Sequence, residues 1–199
     1  MVMSRLMVLT DRTQVSDETL LDRLRRIVDG GADTIVVREK DLPTSERRTL
    51  VEQVMTFTPT VIVASDVTLA RAVGAHGVHL SANDDAVTDD DLIVGRSSHT
   101  LVEVVTGGAA LDYVTLSPMF DSRSKPGYRS GTSVKDLAPA TAVVPTFALG
   151  GIETPARVRT ARDAGAFGVA VMGALMRDPH PEQLVRSMIE ELECNRPSS

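Results

Sequence analysis

The sequence predicts a closed (β/α)8 TIM barrel of the α/β class, a single domain with a short or missing fourth helix. Three observations predict it. Short β-branched runs alternate with longer stretches of helical period along the whole chain. The runs are continuously apolar, as strands buried on both faces of a parallel sheet must be. Eight such runs fit into 199 residues, and seven of them are followed by a plausible helix. The competing architecture is an open doubly wound sheet. No Gly-x-Gly-x-x-Gly follows the first run, which weakens a dinucleotide-binding version of it.

Taken in order, Leu6-Met7-Val8-Leu9 is the first strand and ends at Thr10-Asp11. Ser16 is placed to cap a helix through Ile27, with Leu20, Leu21, Leu24 and Ile27 on one face, and Gly30-Gly31 stops it. Thr34 to Val37 is the second strand and leads into Arg38-Glu39-Lys40; Thr44 begins the second helix. Val61 to Ala64 is the third strand, and a short helix follows near Val67 to Val73. Gly77 to Leu80 is the fourth strand. The stretch after it, Ser81 to Asp91, has five aspartates and little apolar period, so any helix there is stunted. Leu92 to Gly95 is the fifth strand, with a helix from Leu101 to about Thr106. Tyr113 to Leu116 is the sixth strand, and Ser133 is placed to cap the sixth helix. Thr146 to Leu149 is the seventh strand. Thr154-Pro155 starts a helix with a favourable cap and proline at its first position. Phe167 to Val171 is the eighth strand, and the last helix runs from Pro181 to about Leu192. The expected domain is 1–194, with 195–199 a frayed tail.

Composition excludes several function classes. Hydrophobic content of 42% and charged content of 24% are ordinary for a soluble globular protein. A net charge of −6 argues against a general nucleic-acid binder. The one cysteine, Cys194, can form neither an internal disulfide nor a zinc cluster. No apolar run approaches the ~20 residues that a membrane span needs. The first residues lack the apolar core of a secretory signal, so a cytoplasmic location is the default expectation. A homo-oligomer is compatible with the sequence.

In a barrel, function collects at the C-terminal ends of the strands. Arg38 and Lys40 flank Glu39 there, and strand alternation points the two cations one way and Glu39 the other. Asp66 and Asp84 follow the third and fourth strands and are candidates for a hard cation such as Mg2+. Ser97 and His99 follow the fifth. His79 lies inside the fourth strand, where a hydrogen-bonded core residue is the ordinary outcome. After the sixth strand, Leu116 to Gly131 is rich in Ser, Pro, Gly and Arg and cannot continue a strand or helix. Its hydroxyls, Ser122 and Ser124, and its cations, Arg123, Lys125 and Arg129, suit a phosphate. The seventh and eighth strands end in Gly150-Gly151 and Met172-Gly173, where a barrel commonly binds phosphate through main-chain N–H groups.

Several of these segments, in this order, resemble the thiamin-phosphate synthase/TenI family. They are Val37 to Leu42, Ala72 to Leu80, Ser97 to Thr100, Ser117 to Phe120 with Ser124 to Pro126, Leu149 to Ile152, and Gly168 to Met172. The resemblance implies a barrel enzyme of thiamin biosynthesis acting on small phosphorylated substrates. The synthase joins hydroxymethylpyrimidine pyrophosphate to a thiazole phosphate and releases pyrophosphate, with Mg2+. Carried over by position, Arg38, Lys40 and Lys125 would be catalytic through the pyrophosphate. Ser97, Ser122 and Ser124 would supply hydroxyls, and His99 would belong to the binding site. Gly150, Gly151, Met172 and Gly173 would bind the thiazole phosphate. Asp84 would hold Mg2+, with Asp66 as the candidate to substitute, from the next position, for a second carboxylate.

The sequence departs from the synthase pattern at five positions. Val36 stands where the resemblance expects glutamine, and Ala64-Ser65-Asp66 where it expects Asn-Asp-Arg. Gly173 replaces a serine. The TenI branch, the thiazole tautomerases, would require a histidine at Pro118. The synthase is therefore the first expectation. A TenI-like tautomerase and a catalytically inactive paralogue that binds thiazole or thiamin phosphate are the alternatives.

Overall fold

A computed structural model describes residues 3–121 and 132–194. Eight parallel strands close into a barrel in sequence order: β1 (Leu6–Leu9), β2 (Thr34–Val37), β3 (Thr60–Ala64), β4 (Gly77–Leu80), β5 (Ile93–Ser98), β6 (Tyr113–Leu116), β7 (Thr146–Leu149) and β8 (Gly168–Val171). β1 pairs with β8 in the register Leu6↔Val169, which closes the ring. The fold class predicted from the sequence is therefore observed. The expected tail 195–199 lies outside the described residues, as do Ser122, Ser124 and Lys125.

Strand alternation divides the apolar residues between two cores. Met7, Val36, Ile62, Tyr113, Phe147 and Ala170 point into the barrel lumen. Their neighbours Leu6, Val8, Ile35, Val37, Val61 and Val63 face the helices. Both faces of each strand are thus buried, which is why the runs read as continuous. Each large side chain so removed from water contributes roughly 1.5–3 kcal/mol.

The helices that cover the strands are α1 (Leu20–Asp29), α2 (Thr44–Met55), α3 (Val67–Val73), α4 (Leu101–Gly107), α5 (Leu137–Thr141), α6 (Pro155–Asp163), α7 (Gly173–Arg177) and α8 (Pro181–Glu193). No helix joins β4 to β5, as the aspartate-rich stretch predicted. Three differences from the sequence reading have local causes. The first helix starts at Leu20, because Thr19 rather than Ser16 caps it: Thr19 Oγ1 accepts from Asp22 N–H at 3.2 Å. β5 runs on to Ser98, because Arg96, Ser97 and Ser98 pair in register with Val114, Thr115 and Leu116. The turn after β8 is not a plain loop but the short helix α7. Among the described residues, no helix is long and apolar enough to cross a membrane.

Candidate active site

A cavity of about 370 Å3 opens at the C-terminal ends of the strands. Arg38, Lys40, His79, Ser97 and His99 line it from β2, β4 and β5. Gly150, Gly151, Met172 and Gly173 line it from β7 and β8. Of the sequence candidates that the structure describes, only Asp66 and Asp84 are not part of its wall.

The alternation predicted after β2 is observed. Arg38 and Lys40 face the cavity, while Glu39 is buried and accepts from Arg12, from the backbone N–H at 3.1 Å and Nη1 at 2.9 Å. The Arg38 N–H donates to Thr10 Oγ1 at 2.9 Å, which ties this turn to the end of β1. Lys40 Nζ donates to Ser65 Oγ at 2.5 Å, and Ser65 Oγ donates to Asp84 Oδ2 at 2.5 Å. Asp84 Oδ2 also accepts the Ser81 N–H at 2.7 Å. Ser65 holds a left-handed backbone, φ +56°, uncommon for a residue with a side chain. Burial pulls the Lys40 ammonium below the ordinary lysine value; Asp84 opposes this and Arg38 and Arg47 add to it. Burial would raise Asp84, but the bonds from Ser65 and Ser81, with the Lys40 charge, outweigh it and lower its pKa. Lys40, Ser65 and Asp84 thus form a charged relay leading from the cavity wall into the loop after β4.

Arg96 fastens that loop. Its guanidinium donates to the carbonyls of Ser81 at 3.1 Å, Asp84 at 2.8 Å and Asp85 at 2.9 Å. Asp66 is engaged elsewhere. Its Oδ1 accepts the Leu69 N–H at 2.8 Å, capping α3, and its Oδ2 lies 3.5 Å from Arg47 Nη1.

His79 is buried in the lumen, with Nδ1 3.0 Å from Tyr113 Oη and Nε2 2.9 Å from Ser97 Oγ. Its pKa is lowered to about 4, chiefly by burial and then by Lys40, so its ring is neutral at neutral pH. His99 Nδ1 lies 3.0 Å from the Ser117 carbonyl. A carbonyl oxygen only accepts, so Nδ1 carries the proton and Nε2 is the basic nitrogen.

At the ends of β7 and β8 the cavity wall is formed largely by glycine turns. Gly150 and Gly151 have φ of +93° and +66°. A Cβ on Gly151 would meet the carbonyl oxygens of Asp121 at 2.6 Å and Phe120 at 2.7 Å. Met119 N–H donates to the Leu149 carbonyl at 2.9 Å and Phe120 N–H to Gly150 at 3.1 Å, locking the segment after β6 onto the end of β7. Beside Gly173, the guanidinium of Arg177 donates to Gln14 and lies 3.4 Å from Glu153 Oε1.

The profile described as thiamine monophosphate synthase matches residues 6–175. The chain belongs to this family. It is 33% identical over 200 residues to thiamine-phosphate synthase of Methanoculleus marisnigri, covering 94% of each chain. It is also 33% identical over 195 residues to thiamine-phosphate synthase of Salinibacter ruber, covering 90% of this chain and 84% of that one. Among solved structures, thiamine phosphate pyrophosphorylase from Pyrococcus furiosus superposes with a TM-score of 0.83 at 24% identity over 95% of both chains, a likeness of fold.

Within the family frame, the departures seen in the sequence acquire surroundings. Ala64 presents a methyl group to the cavity where the resemblance expects an amide. Ser65, in place of a carboxylate, bonds both Lys40 and Asp84. Among the described residues, no group of three or more His, Cys, Asp or Glu side chains is placed to hold a metal. Asp84 offers one carboxylate beside Lys40, a donor set that fits Mg2+ only where phosphate oxygens supply the other ligands.

Sequence reasoning noted Ser65 only as a departure from the family pattern and passed over Arg96, Tyr113 and Arg177. Arg177 and Arg96 gave no usable signal, since each acts through a long side chain onto a distant loop. Tyr113 did: an aromatic at the start of a barrel strand, opposite a glycine on its neighbour, marks a ring that must lie over that glycine.

Proposed function

We propose that this chain is a synthase-type transferase that joins a pyrimidine pyrophosphate to a thiazole phosphate and releases pyrophosphate. The observation that carries the reading is one cavity lined by two cationic side chains and, from other strands, by glycine turns. Arg38 and Lys40 follow β2, and the glycine turns follow β7 and β8. A substrate pair with a pyrophosphate and a separate monophosphate needs such a division.

In this reading the bond between the pyrimidine methylene and the pyrophosphate oxygen breaks, and its electrons leave with pyrophosphate. The thiazole nitrogen then bonds to the cationic methylene carbon. Arg38 and Lys40 stabilise the charge that develops on the leaving group, and are strongest where water is excluded. By the family resemblance Lys125, with Ser122 and Ser124, would act with them; all three lie outside the described residues. Ser97 contributes a hydroxyl. The main-chain N–H groups around Gly150, Gly151, Met172 and Gly173 orient the thiazole phosphate. Asp84, rather than the engaged Asp66, would hold Mg2+ together with pyrophosphate oxygens, where the ion would neutralise leaving-group charge. The chain would act as one domain over 1–194, in the cytoplasm.

A second reading has its own observation. His99 lines the cavity with Nε2 as its basic nitrogen, and Ala64 gives the pyrimidine no amide. Both suit a thiazole tautomerase using His99 as the base. Incubation with both substrates and Mg2+ separates the readings. The synthase forms thiamin phosphate and pyrophosphate, the tautomerase converts the thiazole without the pyrimidine, and a paralogue that only binds does neither.

A further inference from the structure

At one level of the barrel lumen, three consecutive strands form an unusual row. His79 on β4 is in register with Gly95 on β5, and Gly95 with Tyr113 on β6. Gly95 has no side chain, and a Cβ there would strike the Tyr113 ring. The ring therefore lies across β5 and reaches the histidine two strands away. The two ring planes lie within 19° of each other, and Phe147 meets the Tyr113 ring edge-on at 5.5 Å. The phenol is fully buried, and among the described residues His79 is its hydrogen-bond partner.

Proton accounting then settles the direction of each bond. Burial raises the Tyr113 pKa, so the phenol keeps its proton. A buried O–H without an acceptor is costly, whereas an oxygen lone pair tolerates being unused. Tyr113 Oη–H therefore donates to His79 Nδ1. The neutral imidazole has a single N–H, which must then sit on Nε2 and donate to Ser97 Oγ. The proton of Ser97 cannot point back at His79. It does not go to Thr115, its register partner, whose buried Oγ1 has no partner among the described residues. Among the described residues Ser97 Oγ has no other side-chain partner, which leaves its proton for the cavity that Ser97 lines.

We propose that Tyr113, acting through His79, is a positioning residue that makes the Ser97 hydroxyl a hydrogen-bond donor to a phosphoryl oxygen of the substrate. The acceptor's identity as the pyrophosphate rests on the proposed function; the relay itself does not. With the opposite tautomer, Ser97 would spend its proton on His79 and present only lone pairs to an anion. Tyr113 thus sets the sign of the contact from inside the barrel, without touching the substrate.

The relay is tested on the full chain by nitrogen-15 NMR of the imidazoles at neutral pH, with His79→Gln to assign the signal. The expected result is the Nε2–H tautomer in the wild type and a shift towards Nδ1–H in Tyr113→Phe, which keeps the ring over Gly95. A wild-type signal from the Nδ1–H tautomer overturns the proposal. Kinetics give the second arm. Ser97→Ala should lower kcat/KM by about tenfold to a hundredfold, the range for one hydrogen bond to a charged group. Tyr113→Phe should lose part of that factor alone and nothing further in the Ser97→Ala background. An equal loss in both backgrounds would mean that Tyr113 acts only by packing. Absence of synthase turnover in the wild type would refute the proposed function, while the tautomer measurement would still decide the relay.

Discussion

In the proposed function, Arg38 and Lys40 at the cavity wall, with Ser65 and Asp84 behind them, would act through side chains, whereas Gly150 and Gly151 would act through the main chain. The difference has a physical basis. A leaving pyrophosphate gains charge during reaction and needs full countercharges close to it. A phosphate that only anchors its molecule needs directional donors, which turns without side chains expose. The two sides should therefore fail differently: the first through rate, the second through affinity and stability.

The largest expected effect is on the side-chain side. Lys40→Ala should lower kcat by about a hundredfold to a thousandfold, the typical loss for one preorganised electrostatic donor. The denaturation midpoint should hardly move, because among the described residues the Lys40 ammonium hydrogen-bonds Ser65 alone, at the cavity wall. A rate loss accompanied by general unfolding would erase the contrast between the two sides.

Between them stands His79, whose pKa is lowered to about 4 against an ordinary 6.5. The folded protein binds fewer protons here than the unfolded chain between those two values. Stability is therefore fully present above pH 6.5 and lost as pH falls towards 4, by an amount on the order of 3 kcal/mol. Urea midpoints measured across that window check this. The slope should be much reduced in His79→Gln, and an equal slope in both proteins would show that other groups cause it.

On the glycine side, Gly151→Ala should cost roughly 1–3 kcal/mol of stability, through its positive φ and the carbonyls of Asp121 and Phe120. KM for the thiazole phosphate should rise more than kcat falls. The reverse pattern would move this turn into the chemical step. The smallest effect is expected for Asp84→Asn, which should raise the Mg2+ concentration for half-maximal rate by about tenfold. An unchanged metal titration would remove Asp84 from the pyrophosphate side.

The legibility of these features follows from their range. Barrel strands such as Val61 to Ala64 were readable because burial on both faces leaves an unbroken apolar run. The outward turn of Glu39 between Arg38 and Lys40 followed from period two alone. Helix starts were harder, since Ser16 and Thr19 are both competent caps and only the reciprocal bonding of Thr19 and Asp22 decides between them. The continuation of β5 through Ser98 depends on pairing with β6, which a polar Arg-Ser-Ser segment does not announce. At the site, Asp66 and Asp84 were both candidates as aspartates just past strand ends. Arg47 and the start of α3 claim one of them, a contact between residues 19 apart in sequence to which no local pattern points.

The central claim is that one cavity binds a pyrophosphate leaving group at Arg38 and Lys40 and a second phosphate at the β7–β8 turns. Its most direct test is a product assay on the purified chain with the pyrimidine pyrophosphate, the thiazole phosphate and Mg2+. The account predicts thiamin phosphate and pyrophosphate formed in equal amounts, with both suppressed together in Lys40→Ala. Thiazole conversion that proceeds without the pyrimidine, with no pyrophosphate released, would contradict it.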